Sequence, residues 1–320
     1  MPSISVGIDV SQKTLDGRHL PADQPLRADN TPRGHRQLIE QLLALAPKPA
    51  DIRVVLESTG GLELPIAIAL EEAGIEVAII KPERARYFAK AHGQLAKTDA
   101  IDAGILARFA RDVPVPIIPL PPQELRHFRD LLDRRQQLIE MRTMESNRLA
   151  TTTLRAARQS LEKHIDWIDR EVKDVEADLD QRVESNPQWA EVDRILQSIP
   201  GIGPQVSRLL IGHLPELGQV DRKVIGQLVG VAPIANDSGT TEGPRHIVGG
   251  RWQVRNGLYM AAVSAIRHNS IGKALYIRLR ERGKSAKSAL IAVAHKLLTI
   301  ANAMVAQKTL WRHSNVAVPC

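Results

Sequence analysis

Cysteine and aromatic residues are scarce in this chain. Cys320 is the single cysteine among 320 residues, so no disulfide can form within one chain and a cysteine-based metal site is excluded. Aromatic residues make up 3% of the sequence, which favours core packing over base stacking for Trp252 and Tyr259. A chain with so little cysteine suits a reducing compartment, and we expect a cytoplasmic setting.

Long apolar runs and export signals are also missing. No apolar run approaches the roughly 18 residues that a membrane-spanning helix needs, and residues 1–10 lack a basic stretch followed by an apolar one. The phosphate-binding pattern Gly-x-x-x-x-Gly-Lys-[Ser/Thr] does not occur, and no histidines have the spacing of zinc ligands. We therefore expect a soluble protein that is not exported and that has no P-loop.

Acidic residues nearly disappear towards the C-terminal end. Residues 245–320 hold 13 Lys and Arg against one acid, Glu281, whereas residues 1–244 carry a net charge of −5. A stretch this basic attracts a polyanion such as nucleic acid, although a merely solvated basic surface would have the same composition. The total length indicates more than one domain.

Strand and helix patterns alternate in the first third of the chain. Short buried-type runs are separated by amphipathic segments with helical spacing, which predicts an α/β layer built around a central sheet. Sites in such folds form where neighbouring strands end. The predicted strands are 4–10, 51–57 and 75–80, with a further strand after the turn at 11–16, and the predicted helices are 31–46, 62–73 and 82–91.

Four carboxylates lie where such a site would form. Asp9 and Glu57 are near strand ends, and Asp99 and Asp102, three residues apart, share one face of the next helix. Carboxylates directed at one place repel each other unless a hard cation such as Mg²⁺ lies between them. Taken singly, Asp9 could cap a turn, Glu57 could be a solvated charge and Asp99 could cap its helix. Together they predict a site for one or two Mg²⁺ ions.

Three short motifs around these carboxylates resemble a known family. The runs at 7–11 (Gly-Ile-Asp-Val-Ser), 56–61 (Leu-Glu-Ser-Thr-Gly-Gly) and 97–103 (Lys-Thr-Asp-Ala-Ile-Asp-Ala) resemble the Asp-Glu-Asp-Asp signature of the IS110 transposases. The catalytic domain of that family is similar to the RuvC Holliday-junction resolvase. The resemblance implies an RNase H-like fold in which the four carboxylates hold Mg²⁺, with Mn²⁺ as the alternative.

A proline-rich segment at 113–122 follows this helix. Prolines at this density cannot continue a helix or occupy a central strand, so we place a domain boundary there. We predict a RuvC-like catalytic domain at 1–122, a helical coiled-coil connector at 123–188 and a mainly helical transposase domain at 189–320.

The connector contains a heptad seam. Residues 123–183 hold neither glycine nor proline, and apolar residues recur in steps of four and three, which is the spacing of a coiled coil. No partner helix is evident, so a hairpin within the chain and a seam between subunits both stay open. The resemblance implies that this region serves self-assembly. The seam residues are Leu161, Ile165, Ile168, Val172, Val175 and Leu179.

A Gly-x-Gly turn joins two helical segments at 196–207. Gly201 and Gly203 would expose backbone N–H groups beside a helix N-terminus, which suits a phosphate group. The segment looks like a helix-hairpin-helix element, which holds nucleic-acid backbone without reading sequence. An ordinary tight turn is the alternative, because Glu216 and Asp221 nearby weaken the electrostatic attraction.

A loop of small residues at 230–251 holds Ser238 between Asp237 and Gly239. Local sequence alone predicts that this serine is a turn former. The resemblance implies instead that Ser238 is a catalytic nucleophile, since the Asp-Ser-Gly segment matches the transposase half of the family. The basic residues usual directly after Ser-Gly are replaced here by Thr240 and Thr241, which affects expected phosphate contacts and not the serine.

The basic C-terminal region also carries apolar residues at helical spacing, which predicts amphipathic helices with basic outer faces. We expect these faces to contact nucleic-acid backbone. The residues predicted to do so, besides Gly201 and Gly203, are Arg245, Arg251, Arg255, Arg278, Arg282, Lys284 and Lys287.

These features together predict a DNA recombinase of the IS110 type. The resemblance implies that a structured non-coding guide RNA pairs with donor and target DNA in the bacterial cytosol, near the nucleoid, and that a homodimer assembles into a homotetramer. The carboxylates and Ser238 would act within one chain or across a subunit interface. The general base for Ser238 stays open, and Asp237 could act as a local but weak base. Three alternatives stay open. They are a hydrolytic RuvC-like nuclease, a noncatalytic RNA- or DNA-binding protein, and a sugar-kinase or actin-like ATPase, although the sequence lacks the Gly-rich nucleotide loops of that last class.

Overall fold

The computed structural model describes residues 2–94, 99–117, 119–233 and 246–312, and for 99–101 only the backbone. Within these residues it contains a five-stranded sheet and twelve α-helices, divided between two compact units, Met1–Pro121 and Pro122–Cys320. The strands are β1 (Ile4–Val10), β2 (Thr14–Leu20), β3 (Gln24–Asp29), β4 (Ile52–Glu57) and β5 (Glu76–Ile80). The helices are α1 (Pro32–Leu43), α2 (Leu64–Glu72), α3 (Pro82–Ala91), α4 (Asp99–Asp112), α5 (Gln123–Thr151), α6 (Arg155–Ser185), α7 (Pro187–Gln197), α8 (Pro204–His213), α9 (Arg222–Val229), α10 (Trp252–His268), α11 (Ser270–Glu281) and α12 (Ala286–Gln307).

The first unit is built on one mixed sheet with the strand order β3-β2-β1-β4-β5. β1, β2 and β3 pair antiparallel, whereas β4 and β5 run parallel to β1. This arrangement confirms the predicted α/β layer and is compatible with an RNase H-like domain. β3 was not predicted, because this edge strand is largely exposed and has no buried apolar pattern to reveal it.

The sheet separates two hydrophobic cores. On one face Val54 and Leu56 pack in a cluster that also holds Leu38 of α1 and Ile66 of α2. On the other face Val55 packs with residues of α4 such as Leu106. Side chains alternate between the two faces along a strand, so β4 contributes to both cores and is buried on both sides.

In the second unit, α5 and α6 form an antiparallel hairpin that accounts for most of the predicted seam. Ile168 is fully buried in a cluster with Leu138 of α5. Arg135 forms an ion pair with Glu176 across the two helices at 2.7 Å. Of the two possibilities that the sequence left open, the structure therefore has the hairpin within the chain at these residues, and assembly of subunits through this region stays a prediction.

The turn between α5 and α6 contains neither glycine nor proline. Thr152 leaves the helical conformation, and its hydroxyl donates to the carbonyl of Arg148 at 2.7 Å. The guanidinium of Arg158 donates to the carbonyls of Leu149 and Thr152 at 2.9 and 3.0 Å. Side chains thus act as hydrogen-bond donors to the carbonyls at the end of α5. In many other helices, water or a glycine turn provides these donors.

The helix α12 is, within the described residues, the one helix long and apolar enough to be a candidate membrane span. An 18-residue window of its 22 residues has a mean hydropathy of 1.7, although Lys287, His295 and Lys296 interrupt the apolar residues, so the expectation that no uninterrupted apolar run has that length is not contradicted. In the structure, Val293, Leu297 and Leu298 of α12 are buried in the core of the second unit. A helix that packs in a protein core can meet the same test of length and composition as a membrane span.

We predict that Ile168→Ala lowers the free energy of unfolding by about 2–5 kcal/mol, because it opens a cavity in a fully buried contact between α5 and α6. Leu154→Ala, in the turn between the helices where the side chain is 69% exposed, is the matched control and should have little effect. Urea denaturation measures both. A variant that keeps its stability but dissociates into smaller assemblies would show that Ile168 lies between subunits.

Candidate active site

Asp9 and Glu57 lie side by side at one edge of the sheet. β1 and β4 pair in parallel with Gly7 opposite Val55 and Ile8 opposite Leu56, and the same register continued by one residue places Asp9 opposite Glu57. Neighbouring strands are about 4.8 Å apart, so the two carboxylates start from adjacent backbone positions. Both side chains are partly buried. The sequence prediction that strand ends bring these two residues together is consistent with this geometry.

Both side chains point to the face that α4 covers. Residues two apart on a strand share a face, and two residues before Asp9 is Gly7, which touches α4 so closely that an added Cβ would lie 2.3 Å from the carbonyl oxygen of Ala103. Two residues before Glu57 is Val55, which is buried against α4. Asp9 and Glu57 therefore face the helix that carries the other two predicted carboxylates.

The helix α3 packs against α4. The ring of Phe109 in α4 contacts Phe88 with a centroid distance of 5.2 Å, and the guanidinium of Arg84 lies 5.4 Å from the Phe109 ring. These contacts hold the later part of α4 against α3.

The start of α3 marks the carboxylate edge. α3 begins two residues after Ile80, which is paired with Glu57, and its Ala85 packs in the core beneath α4. Ala103 in α4 lies against Gly7 of β1, and Asp102, the residue before Ala103, is partly buried in the first turn of α4. Whether Asp102 joins Asp9 and Glu57 in one site stays a prediction.

The fourth predicted ligand, Asp99, begins α4, and its side chain lies outside the described residues. Within the described part of the chain, no group of three or more His, Cys, Asp or Glu side chains is placed to hold a metal ion. The donor chemistry of Asp9, Glu57 and Asp102 fits a hard cation such as Mg²⁺, which prefers carboxylate oxygens. The metal site itself stays a prediction.

The loop with Ser238 also lies outside the described residues, together with Arg245, but both of its ends are described. α9 ends at Val229, and Gly230 has the left-handed backbone conformation with φ 75°. The chain returns at Gly249 and Gly250, directly beside Gly230. An added Cβ on Gly250 would lie 2.3 Å from the backbone N of Gly230, so only glycine permits this approach.

Arg251 and Arg255, predicted to contact nucleic acid, both make contacts within the protein. The guanidinium of Arg251 donates to both carboxylate oxygens of Glu216 at 2.6 Å and to the carbonyl of His213 at 2.9 Å. Arg255 donates to the carbonyl of Gly249. Burial and the two nearby guanidinium groups of Arg129 and Arg251 lower the pKa of His213 to about 4, so His213 is neutral at physiological pH.

The Gly-x-Gly turn connects α7 and α8 as predicted, but its two glycines have different surroundings. Gly201 has φ 107°, and an added Cβ would lie 2.8 Å from the Cβ of Ala265 in α10. The amide of Asn269 donates to the carbonyl of Pro200 at 3.1 Å. Gly203, by contrast, is exposed at the start of α8 and an added Cβ would meet nothing within 4 Å. Gly201 thus serves packing, and Gly203 is the more accessible to a phosphate.

The remaining predicted basic residues lie at the end of α11 and the start of α12. Arg278, Arg282, Lys284 and Lys287 are all exposed. Among the residues that the structure describes, none of the four forms an ion pair with an acid, whereas Arg251 does. A cation without an internal partner remains available to a phosphate group. These four are therefore the predicted contacts whose surroundings suit nucleic-acid binding best.

Comparison with known proteins identifies the family. Residues 6–157 match the family described as a transposase of the IS110 Asp-Glu-Asp-Asp type, and residues 193–277 match the transposase IS116/IS110/IS902 family. The chain belongs to the IS110 family of transposases. It is a DNA transposase or recombinase, and DNA is its substrate.

Its relatives match along almost the whole chain. The pilin gene-inverting proteins of Moraxella bovis and Moraxella lacunata are each 26% identical to it over 318 residues, covering 96% of this chain and 97% of theirs. The uncharacterized 43.6 kDa protein of insertion element IS110 from Streptomyces coelicolor is 20% identical over 390 residues, covering 96% of this chain and 95% of that protein.

Glu63 is a residue of this transposase that the sequence reasoning missed. Its buried carboxylate accepts hydrogen bonds from the hydroxyl of Ser58 at 3.1 Å, from the backbone and hydroxyl of Thr59 at 3.0 and 3.1 Å, and from the backbone N of Gly61 at 2.9 Å. It thereby organises the loop that leaves Glu57. The Ser-Thr-Gly-Gly turn before an acid was the signal that could have revealed it.

Asp16 is a second acid that was not singled out. It pairs directly across from Asp9 in the β1–β2 ladder, so its side chain is on the same face of the sheet. Its carboxylate accepts a hydrogen bond from Thr14 at 3.1 Å and lies 3.4 Å from Arg27. These two partners offset the repulsion expected between like charges on neighbouring strands.

We predict that Gly7→Ala lowers the free energy of unfolding by about 1–3 kcal/mol, because the new methyl group overlaps the backbone of α4. DNA cleavage should fall as well, since displacing α4 moves Asp102 away from Asp9. Gly104→Ala is the matched control in the same interface. Its methyl group would only touch the flexible side chain of Arg18 at 3.4 Å, and alanine favours the helix. Equal behaviour of the two variants in urea denaturation and cleavage would contradict this account.

We predict that the contribution of Glu63 depends on pH. Burial tends to raise the pKa of Glu63, but hydrogen bonds from Thr59 and Gly61 outweigh it and hold the pKa below the ordinary value of 4.5. Its stabilising effect is therefore present above that value and is lost as pH falls through the lowered pKa. Glu63→Gln should cost about 1–3 kcal/mol at neutral pH.

The measurement is urea denaturation of wild type and Glu63→Gln at several pH values. The difference between them should shrink in acid, as the pH falls below the ordinary carboxyl value of 4.5. Glu72→Gln, exposed at the end of α2, is the control and should show no such trend. A difference that stays constant with pH would mean that the ionised carboxylate is not what stabilises this loop.

Proposed function

We propose that this transposase is an RNA-guided DNA recombinase that cuts and rejoins strands through Ser238 and a carboxylate metal site. The observation that supports the proposal is that Asp9 and Glu57 are on neighbouring strands and on the face of the sheet that α4, the helix of Asp102, covers. Asp9, Glu57, Asp99 and Asp102 would hold Mg²⁺, or alternatively Mn²⁺. When bound, the ion would draw electron density from the scissile phosphate.

In the proposed step the Oγ atom of Ser238 attacks phosphorus. The bond between Oγ and phosphorus forms as the bond to the 3′ oxygen breaks, and the hydroxyl proton is lost while the leaving oxygen gains one to become a 3′-hydroxyl. The covalent link conserves the energy of the phosphodiester, so the strand can be rejoined without ATP. The name of the Moraxella relatives, pilin gene-inverting protein, supports a reaction in which DNA ends are rejoined and not merely cut.

The guide RNA and the assembly are also part of the proposal. A structured non-coding RNA would select donor and target DNA by base pairing, and the exposed residues Arg278, Arg282, Lys284 and Lys287 would hold the nucleic-acid backbone without reading sequence. Strand exchange needs at least two active sites, which favours a homodimer that assembles into a homotetramer. The reaction would take place in the bacterial cytosol.

The test is a search for a covalent DNA adduct. End-labelled DNA is incubated with Mg²⁺, protein and the RNA that copurifies with it, then denatured. We predict a protease-sensitive adduct that Ser238→Ala abolishes, because the nucleophile is lost. Asp102→Asn should lose the adduct and keep DNA binding. Asp112→Asn, at the opposite end of α4 in an exposed pair with Arg111, is the matched control and should retain both.

Two results would contradict the proposal. Efficient cleavage by wild type and by Ser238→Ala without any adduct would indicate a hydrolytic nuclease that uses the same carboxylates to activate water. Full activity after nuclease removal of the copurifying RNA would show that no guide RNA is required.

A further inference from the structure

The segment that carries Ser238 is closed at its base by direct contact between its two ends. Gly230, where the chain leaves α9, lies against Gly249 and Gly250, where it returns. The backbone N of Arg251 donates to the carbonyl of Leu228 at 3.0 Å. We call Gly230, Gly249, Gly250 and Arg251 the neck of the loop.

The side chain of Arg251 ties this neck to the end of α8. Two of its N–H groups reach both oxygens of Glu216 at 2.6 Å, and one also reaches the carbonyl of His213 at 2.9 Å. Arg129 makes a further contact with the end of α8, where its guanidinium donates to the carbonyl of Gly212 at 2.7 Å. Planar pairing of a guanidinium with a carboxylate fixes orientation as well as distance.

These contacts make Arg251 a poor candidate for phosphate binding. Moving Arg251 onto a phosphate would break two charge-assisted hydrogen bonds to Glu216 and one to the carbonyl of His213. Arg255 also makes a hydrogen bond within the protein, since it donates to the carbonyl of Gly249. Among the described residues, Arg251 and Arg255 thus both hold the returning end of the loop.

We propose that the Arg251–Glu216 pair is a clamp that positions the Ser238 loop, and that Arg251 is a positioning residue and not a contact to nucleic acid. This inference rests on the proposed function of Ser238 as the nucleophile. Closing a long loop at its base limits the region that the loop can sample, and a nucleophile displaced by about 1 Å can lose about 100-fold in rate.

The experiment uses the full-length protein with three variants, Arg251→Gln, Arg251→Lys and Glu216→Gln. Lysine keeps the charge, so a phosphate contact would largely survive in Arg251→Lys, but lysine cannot reproduce the planar two-bond pairing. Arg278→Gln, which removes an exposed cation with no acidic partner in the described part of the chain, is the positive control for loss of a phosphate contact. It should reduce the salt dependence of DNA binding by about 0.9 in the logarithmic slope.

Three quantities are measured for each variant. The first is affinity for a short DNA duplex of arbitrary sequence, with its salt dependence. The second is hydrogen exchange of peptides that contain Leu228 and Arg251 in protein without nucleic acid. The third is the rate of adduct formation at saturating DNA. A clamp predicts unchanged affinity and slope, faster exchange at the neck, and an adduct rate reduced about 10- to 100-fold in all three variants.

The double variant Arg251→Gln with Glu216→Gln should be no slower than either single variant, because the two residues act as one unit. A lower salt slope in Arg251→Gln with unchanged exchange would overturn the proposal and assign Arg251 to phosphate binding. An unchanged adduct rate in Arg251→Lys would overturn it as well, and that variant remains informative where the glutamine variant does not fold. Hydrogen exchange at the neck that is the same in the variants as in wild type would separately overturn the clamp. Absence of an adduct in wild type would instead overturn the proposed serine chemistry.

Discussion

The first unit depends on how closely α4 approaches the middle of β1. Gly7 allows this approach, since any larger residue would overlap the backbone of Ala103 and Ala107. The small residues of α4 complete the contact and are themselves buried. Because the helix lies directly on the strand, Ala103, the residue after Asp102, is in contact with Gly7, two residues before Asp9. The distance between backbone elements thus decides whether acids remote in sequence can serve one site.

A comparable device recurs in the second unit. Gly230 and Gly250 let two backbone segments come into contact at the base of the Ser238 segment. Arg251 holds the second of these segments through its ion pair with Glu216. In both units glycine permits the close approach and neighbouring side chains make it stable. The chemistry proposed for Asp102 and Ser238 is therefore placed by residues that take no part in the reaction.

Much of the first unit could be predicted from the sequence, because local patterns there agree with the final fold. The strand 4–10 and the helix 82–91 have the same bounds in the structure, since their apolar spacing and flanking prolines are strong local signals. β3 was missed because it is an exposed edge strand without apolar alternation. Glu63 was missed because one acid in a turn has no local mark that it will be buried and accept four hydrogen bonds.

The sequence by itself determined the chemical inventory: acids at strand ends, a serine among small residues, and a C-terminal region with 13 basic residues and one acid. Composition and spacing carry that information because they are properties of the chain before it folds. Only the tertiary structure decided which basic residues already have partners. Arg251 and Arg278 look alike in sequence, yet the first is paired with Glu216, 35 residues away, and the second is exposed. Pairing between remote residues depends on how helices pack, and no local pattern encodes it.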